Sequence, residues 1–165
     1  MARMILNETS YFGKGSISNV AVEVKARGLK KVLLVTDKDL VKFNVATKVM
    51  KVMDDAGIPY TVYDDIKANP TIENVQTGVE ICKKEGADCI VAVGGGSVID
   101  TSKAIAIIMT NPEFADVRSL EGVADTKNPC LPIIAISTTS GTAAEVTINY
   151  VITDEEAGRK LVCVD

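Results

Sequence analysis

Residues 91–103 read V-A-V-G-G-G-S-V-I-D-T-S-K: a short apolar run, three glycines, a serine and then a helical pattern. The glycines at 94, 95 and 96 allow a sharp turn and let the main chain approach a ligand with no Cβ in the way. Ser97 is expected as the N-cap of the following helix, whose first-turn N–H groups and dipole then face a phosphate. The run alone also fits a tight strand-to-helix turn that holds nothing. It is not the G-x-G-x-x-G fingerprint of dinucleotide folds, and no Walker lysine-serine pair follows it, which argues against a kinase-like or sugar-isomerase-like phosphate site.

Outward from this turn the chain alternates strand-like and helix-like segments. Residues 4–6 and 8–12 read as short strand material ending in a Gly13-Lys14-Gly15 turn. Residues 16–27 carry Ile17, Val20, Ala21 and Val24 at helical spacing and stop at Gly28. Residues 31–36 (K-V-L-L-V-T) are a buried strand closed by Asp37. Residues 39–56 read as one helix ending at Gly57, and residues 60–63 as a strand. Thr71 is expected to cap a helix that runs to Gly86. Residues 89–93 are the strand entering the glycines, and residues 98–109 the helix leaving them. Residues 111–129 are polar and irregular, and 131–137 form another apolar strand. Residues 146–152 and 160–164 flank a polar turn and read as a hairpin. Near-continuous Val/Ile/Leu strands alternating with helices predict an α/β fold: a parallel sheet with helices on both faces, plus a C-terminal β-hairpin.

At 165 residues the chain is the size of one domain, so residues 1–165 are expected to share one core. A net charge of −4 gives no basic footprint for nucleic acid. No apolar run approaches the ~20 residues of a membrane span, and residues 1–16 lack a secretory h-region. The four cysteines, at 82, 89, 130 and 163, are too scattered for a zinc motif and fit a reducing compartment, so a cytoplasmic location is expected. There is no histidine.

Ligands of open parallel sheets sit outside the carboxyl ends of the strands. Asp37, Asn69, the glycine turn and the run T-T-S-G-T (residues 138–142) all fall there. Asp37 either caps the helix that follows it or binds an adenosine ribose, in which case its charge repels a 2′-phosphate and favours NAD over NADP. The threonine hydroxyls either satisfy local backbone groups or line a ligand cleft. Convergence on one sheet edge favours the cleft.

G-G-G-S-V-I-D-T-S-K-A (residues 94–104) and P-I-I-A-I-S-T-T-S-G-T-A-A-E-V-T (residues 132–147) resemble the N-terminal domain of the iron-containing, group III alcohol dehydrogenases. R-M-I-L-N-E-T, N-P-E-F-A-D-V-R-S-L-E-G and I-N-Y-V-I-T-D-E-E are similar to that family's lactaldehyde-reducing branch. The resemblance covers the chain from Arg3 to its last residue. It implies a Rossmann-like domain that binds NAD(H). Asp37 would hold the adenosine ribose, and Asn69 would lie near the cofactor. Gly95, Gly96 and Ser97 would seat the pyrophosphate, with Asp100 supporting that loop. Thr138, Thr139 and Thr142 would line the cleft. A homodimer contact through the N-terminal strand is implied as well.

Members of the family bind Fe²⁺ or Zn²⁺ through one aspartate and three histidines in an all-helical C-terminal domain. No histidine is present here, and Asp165 precedes the family's metal-binding aspartate. The expectation is therefore a cofactor domain, truncated before its metal domain, with no catalytic or metal-ligating residues of its own and weak NAD(H) affinity at most. The alternative is a free-standing dinucleotide-binding or assembly module.

Overall fold

The computed structural model describes residues 8–164. Residues 4–6, read as strand, lie outside that range. Residues 8–12 form no strand and run as an irregular arm to the Gly13–Gly15 turn. The apolar alternation predicts a strand, but the segment takes irregular backbone and its side chains turn onto α1: Tyr11 OH donates to Glu23 Oε1 at 2.6 Å and Glu8 accepts from Arg27 Nη2 at 3.0 Å.

The elements follow in order. A 3₁₀ turn leads into α1 (Asn19–Ala26), which closes at left-handed Gly28; β1 is Val32–Val35. The single helix expected over residues 39–56 is two, α2 (Lys38–Lys42) and α3 (Ala46–Ala56). Asn44 adopts a left-handed φ of 58°, and the N–H groups of Asn44 and Val45 donate to the carbonyls of Val41 and Leu40. This is a Schellman closure, which asparagine tolerates better than other non-glycine residues. Next come β2 (Tyr60–Tyr63), α4 (Ile72–Glu85), β3 (Cys89–Gly94) and α5 (Gly96–Thr110). Thr71 caps α4 as expected, in a reciprocal box with Asn74. Two 3₁₀ turns, β4 (Gly122–Val123) and β5 (Ile133–Ser137) follow, and the chain finishes with β6 (Asn149–Asp154) and β7 (Arg159–Val164). The hairpin begins three residues later than expected, because Ala144–Val146 coil into a 3₁₀ turn.

The main sheet is parallel throughout, in the order β2-β1-β3-β5. Its residues alternate between two cores. Val32 and Leu34 of β1 and Cys89, Val91 and Val93 of β3 pack with Val20, Val24, Val49 and Met53 of α1 and α3. Leu33, Val35, Ile90 and Ala92 face the other way, toward Val75, Val79, Ile105 and Ile108 of α4 and α5. Helices therefore cover both faces, as parallel sheets require.

The second sheet, β4-β7-β6, buries Tyr150, Ile152, Leu161 and Cys163 in that second core. Arg118, in the loop before β4, clamps its far end. Its Nε and Nη2 donate to the Asp154 carboxylate at 2.6 and 3.1 Å, holding that buried carboxyl below the usual carboxylate range.

Candidate functional site

The chain steps outward from β1 to β2 and then crosses back to β3 on the other side of β1. The strand order thus reverses between β1 and β3, and in such sheets a crevice opens there beyond the carboxyl ends of the strands. Thr36 ties the two ends together, its Oγ1 donating to the Val93 carbonyl at 2.8 Å.

Glycine is needed in this turn for proximity rather than for backbone sign. None of the glycines at 94, 95 and 96 has a left-handed φ. A Cβ on Gly94 would lie 2.5 Å from Val98 Cγ2, one on Gly95 3.0 Å from Thr139 Oγ1, and one on Gly96 3.1 Å from Thr142 Cγ2. The threonine run therefore folds directly over the start of α5. Thr138 N–H donates to the Gly94 carbonyl (3.0 Å) and Ser137 Oγ to the Thr139 carbonyl (2.9 Å), which fixes the overlay.

Ser97 is not the cap of α5. Gly95 holds that position without any side-chain hydrogen bond, and Ser97 lies inside the first turn, its carbonyl accepting from Thr101 Oγ1 at 2.8 Å. The consequence suits an anion seat better than a serine cap would. The N–H groups of Gly96, Ser97 and Val98 have no intrahelical acceptor by helix geometry, and no cap competes for them.

These groups open onto a cleft of about 400 Å³. It brings together Asn69, Gly96, Ser97, Asp100 and Thr142, five of the positions singled out from the sequence. Gly95, Thr138 and Thr139 do not line it; they adjoin the glycine turn through the contacts above. Asp37 is apart from it, at the end of β1, where its Oδ1 accepts from Leu40 N–H at 2.8 Å. The capping role is thus made; Oδ2 takes no hydrogen bond among the described residues.

The cleft also contains Lys160, Asn149 and Thr153, which sequence reasoning missed. Thr153 sits opposite Lys160 in the hairpin, and its N–H donates to the Pro70 carbonyl at 2.7 Å. That docking brings Lys160 Nζ within 3.0 Å of Asn69 Oδ1. Asp100 anchors the other side, accepting from Val151 N–H at 3.0 Å, while Lys103 donates to the Asn149 carbonyl at 2.8 Å. Burial pushes the Asp100 carboxyl up and the Lys103 ammonium down. A larger groove of about 650 Å³ runs along β5 beside the arm of residues 8–12 and contains none of the expected site residues.

The buried thiols are not poised as nucleophiles: desolvation pushes Cys82 and Cys163 up to about 11 and Cys89 to about 12. Among the described residues no three His, Cys, Asp or Glu side chains converge to hold a metal ion.

The sequence profile of the iron-containing alcohol dehydrogenases matches residues 7–165. The chain belongs to the iron-containing alcohol dehydrogenase family. Lactaldehyde reductase of Escherichia coli is 58% identical over 163 residues, which are 99% of this chain and 43% of that relative. A crystal structure of 1,3-propanediol oxidoreductase superposes with a TM-score of 0.94 at 38% identity, covering 100% of this chain and 43% of the other. Sulfoacetaldehyde reductase from Bifidobacterium kashiwanohense, solved in complex with NAD+, gives a TM-score of 0.82 at 32% identity, covering 99% and 44%. The chain thus spans less than half the length of these relatives. The family's metal does not fit the residues at hand, since the sequence has no histidine and the described carboxylates and thiols do not cluster. The uncapped start of α5, opening onto the cleft, has the donor chemistry that a phosphate group requires.

Proposed function

We propose that residues 1–165 form one NAD(H)-binding domain of a lactaldehyde-reductase-like oxidoreductase. The observation that carries this reading is the approach of Thr139 and Thr142 to Gly95 and Gly96 over an uncapped helix start. The first-turn N–H groups of α5 hold the cofactor's diphosphate, with Lys160 as the nearby cation. Asp37 accepts from the adenosine ribose hydroxyls through Oδ2. Thr138, Thr139, Thr142 and Asn69 line the remaining path, and Asp100 fixes the cleft wall through Val151. When bound, the nicotinamide supplies or accepts the hydride. These residues bind and orient it, and the metal and the substrate pocket are supplied by parts of the enzyme outside this sequence.

Two expectations test this reading. Asp37→Ala is expected to remove the preference for NAD over NADP, because the carboxylate both accepts from the 2′-hydroxyl and repels a 2′-phosphate. Calorimetric titration with both dinucleotides checks it; a preference that survives the substitution removes the role assigned to Asp37. The 165-residue chain mixed with NADH, lactaldehyde and Fe²⁺ is expected to show no NADH oxidation above background. Metal-dependent oxidation at 340 nm would contradict it.

The exposed Phe12 and Val146, which line the groove along β5, support self-association, since exposed apolar surface drives assembly. A homo-oligomer is expected, and a single monomeric species in sedimentation at micromolar concentration would count against it. Among the described residues no helix is long and apolar enough to cross a membrane. That observation and the buried thiols fit a cytoplasmic enzyme.

A further inference from the structure

The carboxyl end of the main sheet carries one charged arrangement that the cofactor grip leaves unused. Asp37 at the end of β1 forms an isolated antiparallel bridge with Asp65, which lies beyond the end of β2. The next residue, Lys38, opens α2 and places its ammonium on the Asp65 carboxylate. Asp65 is not on a wandering loop. Its backbone is fixed on one side by the bridge to Asp37. On the other, its carbonyl accepts from the Asn74 side-chain amide at 2.8 Å, and Asn74 is itself buried in the α4 capping box.

Across the sheet edge the order is therefore Asp65, Asp37 and then the glycine turn, with neighbouring strands about 4.8 Å apart. Lys38 is the cation next in the chain to the proposed ribose acceptor. A lysine there would reward a 2′-phosphate, which is the opposite of what Asp37 does. Asp65 cancels it. The pair moves both ions in the expected directions: the lysine is held above its ordinary value and the carboxyl below, chiefly through the hydrogen bond between them, with Asp64 adding to the field on Lys38.

We propose that Asp65 is a second determinant of dinucleotide selectivity, acting by holding the Lys38 ammonium against itself so that it cannot serve a 2′-phosphate beside Asp37. This rests on the NAD(H) reading above. The ion pair is largely exposed and contributes little to stability, so its effect belongs to recognition: a full charge within a few ångströms of a ligand phosphate changes affinity even where it hardly changes folding.

The test is calorimetric titration of the 165-residue chain with NAD and with NADP at low ionic strength. Asp65→Asn is expected to raise the ratio of NADP to NAD affinity roughly five- to ten-fold, an effect that fades at higher salt. Adding Lys38→Ala to Asp65→Asn is expected to return the ratio to the starting value or below. Asp55→Asn removes a charge of the same sign from the Lys51–Asp55 pair on α3 and is expected to leave the ratio alone. An unchanged ratio in Asp65→Asn, or an equal rise in Asp55→Asn, would overturn the proposal while leaving the cofactor reading standing. If the unsubstituted chain binds neither dinucleotide, the cofactor reading fails and this inference fails with it.

Discussion

Gly94→Ala is expected to cost about 3 kcal/mol of stability, at the upper end for forcing one methyl group into a packed interior. The added Cβ would lie 2.5 Å from Val98 Cγ2 and 2.6 Å from Val98 Cβ. Val98 cannot swing away: a β-branched residue in a helix keeps one χ1 rotamer, and a clash with its Cβ is a clash with the helix itself. Either β3 or the first turn of α5 must move; β3 is buried along its whole length, and Val98 is buried too. Gly78→Ala is the instructive contrast. Its Cβ would meet Ile105 Cδ1 at 2.2 Å and Cγ1 at 2.9 Å; χ1 of Ile105 is as restricted as that of Val98, but Cδ1 can turn about χ2, so a smaller loss is expected. Urea unfolding of both variants checks the order; a Gly94→Ala midpoint equal to that of the unsubstituted chain would mean the turn is looser than described.

Gly96→Val is expected to weaken NAD binding by about 10- to 100-fold while leaving the fold intact, the equivalent of losing one or two charge-assisted hydrogen bonds from backbone N–H groups to phosphate. Gly96 has an ordinary helical backbone, so valine strains no backbone torsion there, and Thr142 need shift only by tenths of an ångström. Even the first carbon of a side chain would sit 3.1 Å from Thr142 Cγ2 and 3.3 Å from Thr142 Oγ1, and two more methyl groups have only the cleft to enter. Titration with NAD, with circular dichroism as the check on folding, separates a filled phosphate seat from an unfolded protein. Undiminished affinity in a folded variant would show that the diphosphate lies elsewhere.

The readable parts of the sequence are those whose physics is local. Apolar runs gave the β1 and β3 strands, Gly28, Gly57 and Gly86 gave helix ends, and Thr71 gave a helix start, because each acts through its own few neighbours. The errors come where a longer-range or competing effect wins. Apolar spacing continues unbroken across residues 39–56, and only the left-handed tendency of Asn44 splits the helix. Ser97 has the better capping chemistry, yet Gly95 takes the cap, since the close approach of Thr139 excludes a side chain there.

The arm of residues 8–12 alternates like a strand but runs irregularly beside α1, with Tyr11 on Glu23 and Glu8 on Arg27. Lys160 is separated by 91 residues from Asn69, the group it bonds, and no local pattern announces it. The hairpin is legible in the sequence, but its docking through Thr153 on the Pro70 carbonyl is not. Nor is the face that it presents there.

Asp37 shows a different kind of ambiguity. The cap on Leu40 is made, and a carboxylate with a second oxygen can cap and bind a ribose together, so the two readings that compete in the sequence need not compete in the protein.

All of these points converge on whether the glycine and threonine turns together seat a dinucleotide. The most direct measurement is calorimetric titration of the 165-residue chain with NAD. The account predicts saturable binding near one NAD per chain, tighter than NADP and weakened about 10- to 100-fold in Gly96→Val. Absence of binding at millimolar NAD, in protein shown to be folded, would contradict it.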